Sequence, residues 1–351
     1  MNRFRLSPAT ALAACCLIVG SLAPFSGRAA ADVAPSLKSS ENLTPDNVTA
    51  INAQVMRAVN QLKSGLPDDI SFGREWLIKE LRTPGASVAY KNVLARILLP
   101  AAEDLLKSPN IQVRVNAVMV VAWVPSVDAA ATLAPGVGDK SEGVRFAACR
   151  AMRKIIEPAG GEHRNLGAEQ ENALLVILHN AATKESNDLV FSEMVDLLSV
   201  IGTPASQNAL LSVLDDRLPG YADPSEKSFK IPAGGISTLY RKLLQSGEKG
   251  AVMMHVMATA FRYERLAAQQ LAVLPKDAFK KASGDRRDMV IAGDKLLRAQ
   301  YKAMGGTGTL PPDIQGQASL DHWKDVQGMV NQWGDLLKVA PFAGFPWSLK
   351  N

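Results

Sequence analysis

The segment Val113-Arg114-Val115-Asn116-Ala117 returns 31 residues later as Val144-Arg145-Phe146-Ala147-Ala148. In both copies a Val-Arg pair is followed, three residues after the Arg, by a small Ala within apolar residues at helical spacing. A helical unit of this kind has an apolar face that it cannot hide alone, and repeated units hide it by stacking on one another. The pair therefore constrains the chain to a helical repeat array. It also singles out Val113, Arg114 and Ala117, with Val144, Arg145 and Ala148, as the positions the two copies share. Arrays present long surfaces rather than preformed pockets, which favours binding over chemistry.

The surroundings of the pair extend the unit. Residues 98–106 read as a helix closing on paired leucines, Lys107-Ser108-Pro109-Asn110 as a polar turn, and Ile111-Gln112-Val113-Arg114 as the opening of a second helix. A second copy runs through 127–134, a turn at 135–140, and Val144-Arg145. A third, looser one comprises 173–179 and 189–201, and Gly202-Thr203-Pro204 with 205–214 reads as the start of a fourth. This pattern closely resembles the HEAT repeat over roughly residues 90–215. The resemblance implies an all-α fold: a right-handed α-solenoid, or superhelix, of helical hairpins with further non-repeat helices at both ends. It also implies a structural role for Arg114 and Arg145, holding neighbouring units together rather than contacting a ligand. The spacing then slips from 31 to 45 residues (189 minus 144) at the insertion Glu157-Pro158-Ala159-Gly160-Gly161-Glu162-His163-Arg164.

Helices are also expected outside the repeats. Thr44 suits an N-cap, Pro45 a first helical position and Gly65 a stop, with Val48, Ile51, Val55, Val59 and Leu62 on one face. Asn42-Leu43-Thr44 and Asn47-Val48-Thr49 match the glycosylation pattern, but the helix start accounts for Thr44 and Asn47. A second helix is expected over 71–81, burying Phe72, Trp76 and Leu81, and later ones over 236–244, 252–271, 288–304 and 320–338. A Pro- and Gly-containing loop is expected from Asp215 to Pro232. The tail 341–351, with Phe342, Phe345 and Trp347, is expected to dock as a cap; an exposed hook for a partner is the other reading. The expected layout is a signal peptide at 1–31, a flexible tether at 32–43, a helical cap at 44–85, repeats at 86–215 and a C-terminal helical region at 216–351.

The first residues read as an export signal. Arg3 and Arg5 precede an apolar run from 9 to 22, Pro24 and Gly27 break it, and Ala29-Ala30-Ala31 places cleavage between Ala31 and Asp32. The expected location is therefore exported, periplasmic or secreted. A rival reading takes Leu12-Ala13-Ala14-Cys15 as a lipobox, giving a lipid-anchored envelope protein with the same solenoid; Cys16-Leu17-Ile18-Val19 stays apolar where a mature lipoprotein turns polar. Membrane attachment follows only if Cys15 is used. Cleavage removes Arg3, Arg5 and Arg28 and no acid, leaving 36 basic against 34 acidic residues. That balance supplies no concentrated cationic surface, so nucleic acid is not an expected partner. Cys149 alone remains, which forbids an intrachain disulfide and reads as a small buried hydrophobe.

Little in the chain reads as chemistry. His163, His179, His255 and His322 do not stand at metal-binding spacing, and no cofactor is implied. Gly305-Gly306-Thr307-Gly308-Thr309 has the look of a phosphate loop, but Pro311-Pro312 follow it and it reads as an interhelical linker. Glu162, His163 and Arg164 form the remaining candidate loop site. An alternative hydrolase-type enzyme would build its site from the insertions at 157–167 and 215–232, with Glu162 or His163 facing Asp215, Asp216 or Tyr221. The favoured expectation is a non-catalytic module that binds or scaffolds a protein.

Overall fold

The computed structural model describes residues 32–158, 163–221, 251–273, 290–291, 293–313, 323–339 and 342. Among these every regular element is helical. In chain order they are α1 (Pro35–Ser39), α2 (Pro45–Lys63), α3 (Pro67–Leu81), α4 (Val88–Leu106), α5 (Ile111–Val121) and α6 (Asp128–Leu133), which runs into a 3-10 turn at Ala134–Gly138. Then follow α7 (Glu142–Ile156), α8 (Ala168–Ala182), α9 (Asp188–Ile201), α10 (Pro204–Tyr221) and α11 (Ala251–Val273). The last two are α12, whose described residues are 290–291 and 293–303, and α13 (Trp323–Leu336).

Short-range chemistry sets the helix ends. Thr44 Oγ1 accepts the Asn47 amide at 3.3 Å while Asn47 Oδ1 accepts the Thr44 amide at 3.1 Å, a reciprocal cap that fixes the start of α2. Gly65, at φ 78°, lets the chain leave α2 and turn into α3. Asn110 and Asn187 cap α5 and α9 through their side-chain oxygens. The hairpin α2–α3 closes so tightly that a Cβ on Gly73 would lie 2.5 Å from the Ala58 carbonyl oxygen.

Hairpins stack in two layers. α2 packs with α3, α4 with α5, α6 and its 3-10 turn with α7, and α8 with α9. The first members form one row, α2 on α4, α4 on α6, the 3-10 turn on α8, and α8 on α10. The second members form the other, α3 on α5, α5 on α7 and α7 on α9. Each apolar face is thus covered by the next hairpin, with Leu62, Leu98, Val121, Leu133, Met152 and Leu198 among the buried side chains. This is an α-solenoid. Beyond it, α11 packs on α10 and α13.

Several expectations need correction. The segment 32–43 is not a free tether: it forms α1, buries Val33, and is tied down where Ser87 donates its amide to Lys38 O (2.8 Å) and its hydroxyl to Ser40 O (2.7 Å). Its polar composition hid one long-range anchor, Lys38, which reaches the buried Glu80 at 2.8 Å. The expected cap at 44–85 is a hairpin in the same two rows as the repeats. α3 starts at Pro67 rather than 71, since Pro is at home in a first turn, and Phe72 is only half-buried. The third copy aligns on Val190, not Leu189: Val144 and Val190 are each the third residue of their helix, and Leu189 is 53% exposed against 2% for Val190. The true slip is 46 residues (190 minus 144). Finally, α10 continues through Asp215 to Tyr221 where a loop was expected. The side chains of Asp215 and Arg217 have tertiary partners there that no local pattern reveals.

The glycine run after α12 is a helix stop. Gly305 takes φ 84°, Gly306 donates its amide to Tyr301 O (2.8 Å), and Gly308 donates to Tyr301 Oη (3.0 Å). Phe342 is buried and stacks on Tyr301 at 5.0 Å. Residues 1–31, with Cys15 and the cleavage pair's Ala31, lie outside the described residues, as do 222–232, 236–244, His322, Phe345 and Trp347.

Candidate functional site

The Val-Arg positions lie at the turns between stacked hairpins. Arg114 Nε and Nη2 grip the Asp139 carboxylate at 2.7 and 2.9 Å, reaching from α5 to the turn before α7. Its Nη1 donates to the carbonyls of Ser108 (2.7 Å) and Pro109 (3.2 Å) in its own turn. Arg145 repeats this arrangement one unit on, gripping Glu185 at 2.6 and 2.9 Å and donating Nη1 to Asp139 O at 2.9 Å. Both carboxylates also accept an amide of their own turn, Asp139 from Ser141 (2.7 Å) and Glu185 from Asn187 (2.8 Å). Val113, Ala117, Val144 and Ala148 are buried beside them. Burial pushes the Glu185 carboxyl up, but the Arg145 hydrogen bonds and the Asn187 amide outweigh it and hold the group below the usual carboxylate range.

The chain of contacts continues without a third Val-Arg. Arg114 and Arg145 are each the fourth residue of their helix, and in α9 that place belongs to Phe191. Arg217 comes from α10 instead, stacks its guanidinium 3.9 Å over the Phe191 ring, and donates Nη1 to Ala182 O (2.8 Å) and Glu185 O (2.7 Å). In α3 the fourth residue is the buried Ile70. Three guanidinium groups thus link four successive turns and helices.

The second-helix row carries further cross-links. Arg74 Nη1 donates to Asn116 Oδ1 at 2.9 Å, joining α3 to α5, and Arg153 pairs with Glu193 (3.0 Å) and Asp196 (2.8 Å), joining α7 to α9. Burial lifts both of these carboxyls above their ordinary range, with Arg153 pulling the other way. Where α3, α5 and α7 end, Trp123 carries Arg82 Cζ at 4.4 Å and Lys154 Nζ at 2.8 Å from its ring centroid. Burial, and then the Arg82 charge, lower the pKa of Lys154.

Of the expected loop site, the described residues include His163 and Arg164. Glu162 lies outside the described residues. His163 Nε2 lies 2.8 Å from Val200 O, an acceptor, so that nitrogen carries the proton and donates. Arg164 donates its amide to Ile156 O (2.8 Å) and its Nη1 to Ile155 O (3.3 Å), so the two residues pin the insertion to the ends of α7 and α9. His163 is not among the described residues that bond Asp215 or Asp216. Asp215 takes His255 (2.6 Å), Thr259 (3.0 Å) and Arg262 (3.7 Å). His179 presents the same Nε2 to Ser212 Oγ (3.1 Å) and Asp216 (3.5 Å). A Ser-His-Asp relay needs one ring nitrogen for the hydroxyl and the other for the carboxylate, so this is not one. The Cys149 thiol is pushed up to about 12 by burial, away from nucleophilic use. Among the described residues no three His, Cys, Asp or Glu converge on a metal position, and no helix is long and apolar enough to cross a membrane.

The family model for HEAT repeats matches residues 99–163, from within α4 through α7 to the insertion. No curated protein matches the chain. With the stacked hairpins, this match identifies a HEAT-repeat domain. Such repeats generally serve as protein-interaction or scaffold modules and are typically non-catalytic.

Sequence reading missed Asp139, Glu185, Arg217 and Trp123. Two of them left a signal: Asp139 and Glu185 each stand six residues before the fourth residue of the following helix, Arg145 and Phe191, as Ser108 stands before Arg114. An acid recurring at that register marks the partner of the preceding unit's Arg.

Proposed function

We propose that this chain is an exported, non-catalytic α-solenoid that binds a protein along its hairpin stack and holds it within an assembly. The observation that carries this reading is the continuous run of guanidinium contacts Arg114–Asp139, Arg145–Glu185 and Arg217–Glu185 O. Charged side chains that would otherwise be candidates for chemistry are committed to fixing one hairpin on the next. What such fixing produces is an extended surface of set curvature, the form of site that large partners use. Export rests on the basic, apolar and small-residue order of 1–31 and on cleavage before Asp32. The compact unit starts at Val33, so cleavage there would leave it whole.

Crosslinking the full chain in its native compartment, followed by mass spectrometry, tests the binding role. Reproducible crosslinks from residues 100–230 to one protein are expected. Their absence alongside a hydrolytic activity would overturn it. The same spectra read the mature N-terminus: a chain starting at Asp32 is expected, and a lipid-modified Cys15 would replace the secreted form by the anchored one.

A further inference from the structure

We propose that Arg82, Trp123 and Lys154 form a recognition site for a carboxylate side chain in an acidic segment of the protein partner; this rests on reading the stack as a protein-binding surface. One residue comes from each of three successive hairpins: Arg82 caps the end of α3, Trp123 follows α5, and Lys154 lies in the last turn of α7. The two cations approach one indole, from the two helices that flank α5 in the second row.

What points to a ligand is that two cations converge on one indole. Arg114, Arg145 and Arg153 each hold a carboxylate, Arg74 holds Glu75 as well as the Asn116 amide oxygen, and Arg217 holds carbonyl oxygens. Arg82 and Lys154 meet no carboxylate among the described residues, although they are brought close enough for one charge to oppose the other. Holding two like charges around a ring without a counter-ion is unfavourable, and an anion between them reverses the sign of that interaction. The indole adds a fitting edge: an aromatic ring repels negative charge at its face and attracts it at its rim, where the Nε1–H donor lies. That N–H bonds no described residue of the chain, and Trp123 is only half-buried. A carboxylate at the rim would meet that donor, with the two cations held against the same ring. The balanced charge of the mature chain makes this a local feature, suited to one or two acidic side chains rather than to a polyanion.

The probe is a fluorescent hexaglutamate peptide, titrated into the full chain at low salt and followed by anisotropy and by the Trp123 indole N–H resonance, assigned with Trp123→Phe. Hexaglutamate should bind and shift that resonance, weaken with added salt, and give way to no binding with hexaglutamine. Arg82→Gln and Lys154→Gln should each lose about threefold in affinity, and both together about tenfold. Circular dichroism melts establish that the variants fold; should one fail, Arg82→Lys, which keeps the charge, must retain binding. Equal binding by the double variant overturns the site. So does a resonance shift produced by oligo-dT or by anionic lipid vesicles but not by the peptide. Native crosslinks that persist in the double variant overturn this site and leave the protein-binding function standing, whereas loss of all crosslinks in the wild-type chain overturns that function itself.

Discussion

Replacing Arg145 with Ala removes three hydrogen bonds from one guanidinium, two to Glu185 and one to the Asp139 carbonyl. The Glu185 side chain is 2% exposed and keeps only the amides of its own turn, while Arg145 itself is 16% exposed. Breaking a buried pair by deleting one partner costs roughly 3–5 kcal/mol, and partial access of water at the guanidinium places this case near 3 kcal/mol. Deleting both partners is milder, so Arg145→Leu with Glu185→Leu should be more stable than Arg145→Ala alone. Solenoids unfold piecewise, so urea curves should be read together with hydrogen exchange. Protection should fall in α7, α9 and the turn between α8 and α9, and hold in α2 and α3. The pH dependence gives a second reading. Glu185 sits below its ordinary pKa in the fold, so its stabilisation is present above the ordinary carboxylate range and is lost as pH falls through the depressed value. Without Arg145 burial dominates and the group titrates high, so its contribution should then fall with rising pH. A change below about 0.5 kcal/mol with unaltered exchange would refute the stacking role of Arg145.

Three further perturbations test other contacts. Glu264 is fully buried with both oxygens bonded to no described residue, beside Asp294, which takes Arg298 (2.6 Å) and Trp333 (2.8 Å); burial and then the Asp294 charge raise its pKa well above the carboxylate range. The fold therefore binds a proton that the unfolded chain releases, stability falls as pH rises above the ordinary Glu value, and the melting-temperature gain of Glu264→Leu over wild type should grow as pH rises above about 4. Lys38→Ala leaves the buried Glu80 with only the Tyr90 hydroxyl (2.7 Å), which should cost about 1–3 kcal/mol and open residues 32–43 to proteolysis. Val190→Ala should cost about 2 kcal/mol in urea unfolding while Leu189→Ser is near neutral, the reverse of what the Leu189 alignment requires.

The all-α class and the repeat architecture were legible because they rest on local patterns: helical spacing, the Thr44 cap, and two Val-Arg segments in the same register. Alignment of the third copy failed by one residue because Leu and Val are equally apolar in a string, and only burial separates them. The docking of residues 32–43 was missed for a related reason. A single Lys that satisfies a buried Glu 42 positions away leaves no trace in the composition of residues 32–43. Of the candidate loop site Glu162-His163-Arg164, the last two bond backbone carbonyls at the ends of α7 and α9, contacts that their residue types do not reveal.

Arg217 explains why the repeat pattern fades before the stacking does. The turns of the second, third and fourth hairpins share a guanidinium that satisfies their carbonyls, which would otherwise be left unpaired between packed hairpins. In the second and third hairpins that group comes from the fourth residue of the second helix and so is written into a fixed spacing. In the next, Phe191 fills the place with an aromatic face, and Arg217 lies along it from the following hairpin to reach Ala182 O and Glu185 O. The contact persists in space while its register in the chain moves by 26 residues (217 minus 191). A family match that ends at residue 163 and a stack that runs on through α10 are therefore consistent. If so, Arg217→Ala should loosen α10 from the α8–α9 turn as Arg145→Ala loosens α7 from it, and hydrogen exchange confined to α9 and α10 would show it. Exchange unchanged there would mean that the stack beyond α9 is held by its apolar faces alone.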